Sequence, residues 1–382
     1  MDTLITAARV LPRPSAPIDG GAVLVRDGVL AAVGRRDDVA AAAVDPVVHD
    51  FPDATVLAGL FNVHVHLSFD ATRVMLPNFL ASDGASLAHA AGDHLGQLLR
   101  SGVTTVRDLG GRTVLKPAGG PRVLASGPPL TVPEGHCHFF GGAVSSDAEI
   151  RALVDANAAA GAAVIKVMAG GGQITEGGAE MWESQFSLRQ LEIVVAQAAR
   201  HGLPVAAHAH GADAIAASAD AGVSTIEHCT FMSGRGQTDL RPEVARRMAA
   251  GGISACSTSS RNWRMMAERM GEDLARRVYG RLPWLEEHGV RLLSGTDAGL
   301  PGSTFDDPVG ALELYEWLGF SRRRILEIAT EDSAAGLGLS AVTGRLEAGL
   351  SADVLVVDGD PLAELSALAK PLLVLAQGVP AS

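Results

Sequence analysis

Six times along the chain a helical pattern runs into Gly with an apolar stretch directly behind it: "SGVTTV", "AGAAVIKV", "HGLPVAAH", "AGVSTIEH", "GGISACST" and "HGVRLLSG". A Gly just past a helix takes the left-handed conformation that a side chain resists, so each motif predicts a helix stop followed by a strand. The intervening segments carry matching start signals. Ser146 and Glu149 in "SDAEIRALVDANAAAG" have capping-box spacing, as do Ser187 and Gln190 in "SLRQLEIVVAQAARHG", and Pro242 stands just inside the start of "RPEVARRMAAGG". In the second of these helices Leu188, Leu191, Val194, Val195 and Ala198 share one face and are expected to be buried.

Strands alternating with amphipathic helices imply a parallel sheet, and strands that are apolar throughout imply burial on both faces. Eight strands are expected, beginning with "GLFNVHVHL" and continuing through "VTTVRDL", "RVLASG", "VIKVM", "PVAAHAH", "TIEHCT", "ISACS" and "RLLSGTD". The predicted class is α/β, a (β/α)8 TIM barrel with its active site at the carboxyl ends of the strands. A doubly wound open sheet is the alternative. Both termini read differently. "GGAVLVRDGVLAAVG" and "GRLEAGLSADVLVVDGDP" are short alternating strands with Gly and Asp turns. They predict a small β-sandwich domain built from residues 1–57 and 340–382, around a barrel domain of residues 58–339.

Length and charge narrow the class of partner. A chain of 382 residues, 47% hydrophobic and 19% charged, can bury a large core. Its formal charge of −12 argues against nucleic acid or an anionic membrane, both of which reward clustered Lys and Arg. "MDTLITAARVLP" lacks the apolar core of a signal peptide, and no stretch approaches the run of about 18 apolar residues that a membrane helix needs. Cys137, Cys229 and Cys256 form no CxxC pair, which suits reduced thiols and a cytoplasmic location. The expected partner is a small-molecule substrate, and self-association into a homo-oligomer is left open.

Polar residues stand where the barrel strands end. His64 and His66 close the first strand on the same side, Lys166 lies on the fourth, His208 on the fifth, His228 on the sixth and Asp297 on the eighth. Any one of them has an ordinary structural explanation: a buried His is commonly a hydrogen-bonded core residue, and an Asp after "SGT" could cap a helix. Six on one rim point to a metal site, because imidazole and carboxylate suit zinc and its neighbours. A buried ammonium beside cations must be paired or lose its charge. Lys166 could reach the rim or pair with Asp297; alternatively, its neutral amine could react with carbon dioxide to form an anionic carbamate able to bridge two metals.

The order HxH, Lys, His, His, Asp on successive strands, with a β-domain made by both termini, resembles the amidohydrolase superfamily of metal-dependent hydrolases. "GLFNVHVHL", "IKVMAGGG", "VAAHAHGADAI", "GVSTIEHCT", "LLSGTDAG" and "ADVLVVDGDPL" are most similar to its imidazolonepropionase and prolidase-like branch. The resemblance implies that His64, His66 and Asp297 bind the more buried of two divalent ions, expected to be zinc, and that His208 and His228 bind the other. N6-carboxylysine at Lys166 and a hydroxide would bridge them, and Asp297 would shuttle the proton from the attacking hydroxide to the leaving amine. The implied activity is cleavage of a C–N amide bond in a small peptide-like, N-acyl amino acid or cyclic amide substrate. An anionic substrate group fits the net positive charge of such a centre.

For substrate contacts, His136 in "PEGHCHFFGG" matches a substrate-facing His of relatives, with His138 beside it. His210 stands where prolidase-like relatives often carry Tyr. Arg261 in "TSSRNWRMM" is the best-placed cation for a carboxylate. "AGGGQITEGG" lacks the GK[ST] ending of a phosphate loop and is expected to be a mobile active-site loop. A mononuclear deaminase of a small heterocycle is an alternative, disfavoured because no Glu follows His208 in "AHGADAIAAS". A noncatalytic barrel is a further alternative, disfavoured because no ligand is missing.

Overall fold

A computed structural model describes residues 2–117 and 119–381. The predicted helix signals act as expected. Ser146 and Glu149 form a reciprocal capping box on helix Asp147–Ala160, Ser187 and Gln190 form another on helix Leu188–Arg200, and Pro242 occupies the first turn of helix Pro242–Ala250. Helix Asp147–Ala160 ends at Gly161 with φ 88°, a backbone state that a Cβ would oppose. One detail of the second helix differs from the pattern. Leu191, Val194 and Ala198 are buried and Val195 is half-buried, but Leu188 opens the first turn beside the cap and is 39% exposed, while Ile193 and Gln197 complete the buried face.

All eight anticipated strands form. Leu60–Val65, Val103–Asp108 and Arg122–Ala125 make a parallel sheet in that order. Ile165–Met168, Val205–Gly211, Thr225–Gly234, Ser254–Cys256 and Leu292–Leu293 make a second parallel sheet, also in chain order. Every residue of the first, second and fourth strands is buried, as continuous apolar runs require.

Residues bordering the two sheets are hydrogen-bonded to each other on both sides of the smaller one. On one side Leu130 N–H donates to Lys166 O and Met168 N–H to Leu130 O, both at 2.8 Å. On the other, Val63 N–H donates to Ser294 O at 2.8 Å and Asp297 N–H to His64 O at 2.9 Å. The last of these bonds draws Asp297 against the end of the first strand. It is the local reason why two ligand candidates far apart in the chain become neighbours.

The terminal segments share one sheet. Asp2–Leu11 pairs parallel with Val47–Ala58, which pairs antiparallel with Val354–Asp358 from the other end of the chain. Asp27 and Gly28, with φ 51° and 78°, turn Gly21–Arg26 into Val29–Arg35, the conformation a tight hairpin demands. Side chains of Val354–Asp358 alternate between two cores. Val354 and Val356 join Ile5, Val23 and Val56, whereas Leu355 and Val357 join the large core beneath the parallel strands. Cys137, Cys229 and Cys256 are free and buried, and among the described residues no helix is long and apolar enough to cross a membrane.

Candidate metal centre

The parallel strands bring two triads of donors together. His64 Nε2 and His66 Nε2 lie 3.3 and 3.2 Å from Asp297 Oδ1. His208, His210 and His228 form the second triad, with donor atoms all within 4.8 Å of one another. The triads adjoin, since the His64 and His228 rings are 5.4 Å apart. Asp297 and His228 have φ of 58° and 66°. Non-glycine residues in the left-handed region cost about 1–2 kcal/mol each and concentrate where a side chain must be aimed.

Hydrogen bonds commit one ring nitrogen of several imidazoles and leave the other bare. His64 donates Nδ1–H to Glu227 Oε2 at 2.8 Å, so its Nε2 carries a lone pair. His208 donates Nε2–H to the Gly171 carbonyl at 2.9 Å, which leaves Nδ1 bare. Thr230 gives its hydroxyl proton to His210 O and accepts Nδ1–H of the same residue at 3.0 Å, leaving Nε2 bare. Thr258 Oγ1 lies 2.6 Å from His228 Nδ1. Second partners of this kind are what metal-ligating histidines use to fix the tautomer.

The donor set fits a divalent cation. Burial pushes the His64 pKa down to about 4, so near neutral pH a bare imidazole lone pair faces the Asp297 carboxylate across 3.3 Å. Two electron-rich atoms at that separation in a buried site repel unless a cation lies between them. Asp297 itself sits below the ordinary carboxylate value: burial opposes ionisation, and His64 and then His66 outweigh it. Asp297 Oδ1 has no hydrogen-bond partner among the described residues.

Lys166 is 1% exposed, and its Nζ likewise has no hydrogen-bond partner among the described residues. It neither reaches the surface nor bonds to Asp297. Burial pulls its pKa down to about 8.

The three substrate candidates separate. His136 is 3% exposed and its ring lies 4.5 Å from that of His208. A Cβ on Gly172 would come within 2.3 Å of the His136 ring, so the backbone after Lys166 can pass there only as glycine. The start of that segment, expected to be a mobile loop, is tied to the site: Gly170 N–H donates to His208 O at 3.1 Å, and Gly171 O accepts from the ring. His210 joins the second triad. Arg261 does not join: its side chain is 63% exposed and pairs with Asp307 at 3.3 Å. His138 is exposed too, its Nδ1 3.1 Å from Gly135 O in its own loop.

Four buried polar residues escaped the reading of the chain. Glu227 on the sixth strand and Arg107 on the second pair at 2.7 Å, and Thr225 joins them. Asp108 accepts Leu67 N–H at 3.0 Å just beyond His66, and burial raises its pKa to about 6. The signal that singled out Lys166, a charge inside an apolar strand, was equally present in "VTTVRDL" and "TIEHCT".

Acid should unfold the metal-free protein readily. Burial is the first cause that holds His64 and His136 at about 4 and His210 at about 3. An ordinary imidazole titrates at 6.5, so below that pH the unfolded chain takes protons that the folded chain refuses. Stability present above pH 6.5 is therefore lost as pH falls toward 4, by up to about 1.4 kcal/mol per pH unit for each group. Thermal unfolding of chelator-treated protein checks this, and a Tm unchanged across that window would show that the folded imidazoles do accept protons.

Residues 55–379 match the amidohydrolase family. An ochratoxinase of Aspergillus niger is 27% identical over 421 aligned residues, covering 97% of this chain and 84% of that protein. An imidazolonepropionase of Symbiobacterium thermophilum is 26% identical over 390 aligned residues, covering 90% of this chain and 85% of that protein. The crystal structure of a Xaa-Pro dipeptidase with methionine in its active site matches with a TM-score of 0.85 at 24% identity, over 100% of this chain and 99% of that one. The chain therefore belongs to the amidohydrolase family and is a hydrolase acting on carbon–nitrogen bonds.

Proposed function

We propose that this protein is a binuclear metal-dependent hydrolase that cleaves the C–N amide bond of a small peptide-like, N-acyl amino acid or cyclic amide substrate. The observation that carries the reading is the bare His64 Nε2 facing the unpartnered Asp297 Oδ1 at 3.3 Å in a buried site. His64, His66 and Asp297 would hold one divalent cation, and His208 and His228 the other. Zinc is the ion this imidazole and carboxylate set suits. When bound, the two cations supply Lewis acidity, which lowers the pKa of water and polarises the amide carbonyl.

Lys166 completes the set as its carbamate. With a pKa of about 8, roughly one amine in ten is neutral at pH 7, and the neutral amine adds to carbon dioxide with release of a proton. The product is an anion in place of a buried, unsatisfied ammonium. Asp297, whose pKa lies below the ordinary carboxylate value, would accept the proton of the attacking water and return it to the departing nitrogen. His136 and His210, both neutral at pH 7, would offer hydrogen bonds to the substrate's polar groups. Arg261 has no part in this reading.

In the same reading the eight parallel strands form a closed (β/α)8 barrel of residues 58–339, supported by the hydrogen bonds on both sides of the smaller sheet. Residues 1–57 and 340–382 form the β-sandwich domain that packs on it. A doubly wound sheet would leave two free edges there.

Metal analysis and a substrate panel test the function. Expected are two divalent ions per chain, activity lost to a chelator and restored by zinc, and amine and carboxylate released in equal amounts from a dipeptide, N-acyl amino acid or lactam. Ammonia without a new carboxylate would overturn the reading in favour of deamination.

A further inference from the structure

Glu227 and Arg107 are 0% and 2% exposed, a full ion pair sealed among the parallel strands. Replacing such a pair with packed apolar residues is often neutral for stability, so its presence calls for another role. Its bonds lead to His64. Glu227 Oε2 accepts His64 Nδ1–H at 2.8 Å, while Oε1 accepts Arg107 Nη2–H at 2.7 Å and the Thr225 hydroxyl at 2.6 Å. Arg107 is fixed in turn, donating Nε–H to Val63 O at 2.8 Å and Nη1–H to Thr225 Oγ1 at 3.0 Å.

We propose that Glu227, backed by Arg107, is the positioning residue that sets the tautomer of His64 and holds its Nε2 lone pair toward the cation position shared with His66 and Asp297. This rests on the metal-hydrolase reading above. Both carboxylate oxygens of Glu227 are required as acceptors, one for His64 and one for Arg107 and Thr225. Arg107 supplies the countercharge, its Nη2 lying 2.7 Å from Glu227 Oε1 within the same buried pair. With Arg107 and Thr225 both donating to Oε1, Oε2 is left to accept from His64. By contrast, His66 Nδ1 has no partner among the described residues, so only one of the two first-strand ligands is held this way.

An amide at this position has a single acceptor oxygen. In Glu227→Gln it serves His64 only if its NH2 group meets the N–H donors of Arg107; otherwise His64 must carry its proton on Nε2. Nitrogen-15 histidine NMR of the metal-free full-length protein reads the tautomer directly, and zinc competition with a chromophoric chelator reads affinity. The Nδ1–H form of His64 should dominate in the wild type and be lost in Glu227→Gln, with one of the two zinc equivalents weakened about 10- to 100-fold.

Two charge-free double variants keep the test independent of folding losses in the single one. Arg107→Met with Glu227→Gln retains an acceptor for His64, and Thr225 can turn its hydroxyl to accept from the amide. Arg107→Met with Glu227→Met has no acceptor. The first should keep the Nδ1–H tautomer and bind zinc at least about 10-fold more tightly than the second. Equal affinities and equal tautomers in the two doubles would overturn the proposal, leaving the pair a structural element. A wild type that shows the Nδ1–H tautomer yet binds no divalent ion would instead overturn the metal reading.

Discussion

Lys166→Ala should lose at least one of the two metal ions and nearly all activity, by about 10²–10³-fold or more, the scale on which one preorganised electrostatic group acts. Lys166 is 1% exposed and its Nζ has no hydrogen-bond partner among the described residues, a poor state for an ammonium and a reasonable one for an amine about to become a carbamate. Metal analysis and turnover measured together provide the check. Short carboxylic acids added with zinc should partly restore the alanine variant, because they occupy the vacated space with the missing carboxylate.

Lys166→Met separates function from packing. Methionine fills the volume without the desolvation penalty, so the metal-free variant should be at least as stable as the wild type while remaining inactive and refractory to carboxylic acids. Wild-type metal content and activity in Lys166→Met would end the carbamate assignment.

Asp297→Asn is expected to lower kcat by about 10²–10⁴-fold with little change in KM, the signature of a proton-transfer group rather than a substrate anchor. The substitution is clean for a backbone reason. Asp297 has φ 58°, a region Asn tolerates as well as Asp, so the loop after the eighth strand need not move. Metal content measured on the same sample distinguishes loss of the proton acceptor from loss of a ligand. Equal losses in kcat/KM and in zinc affinity, with kcat preserved, would identify Asp297 as a holder of the site alone.

The helix starts at Ser146, Ser187 and Pro242, the stop at Gly161 and the eight strands were legible because each rests on interactions within a few residues: a cap, a fixed φ, a left-handed turn. The candidates His64, His66, Lys166, His208, His228 and Asp297 stand out in the sequence for a related reason. A charged or imidazole side chain at the end of an apolar strand is conspicuous whatever lies next to it. Arg261 shows the limit. Its chemistry suited a carboxylate, yet its loop turns it outward to Asp307, and nothing local specifies a loop's direction.

The division between the two levels follows from the range of the forces involved. Periodicity and punctuation in the chain specified strands, helices and the side of each strand on which a donor stands. Distances across strands belonged to the folded molecule alone: the Asp297 N–H bond to His64 O, the Glu227 contact with His64, Arg107 reaching from the second strand, and His210 swinging into the second triad. A backbone's local geometry sets the direction of a side chain, but its neighbour on another strand is settled only when the sheets pair, and with it the charge, the tautomer and the reactivity of the group.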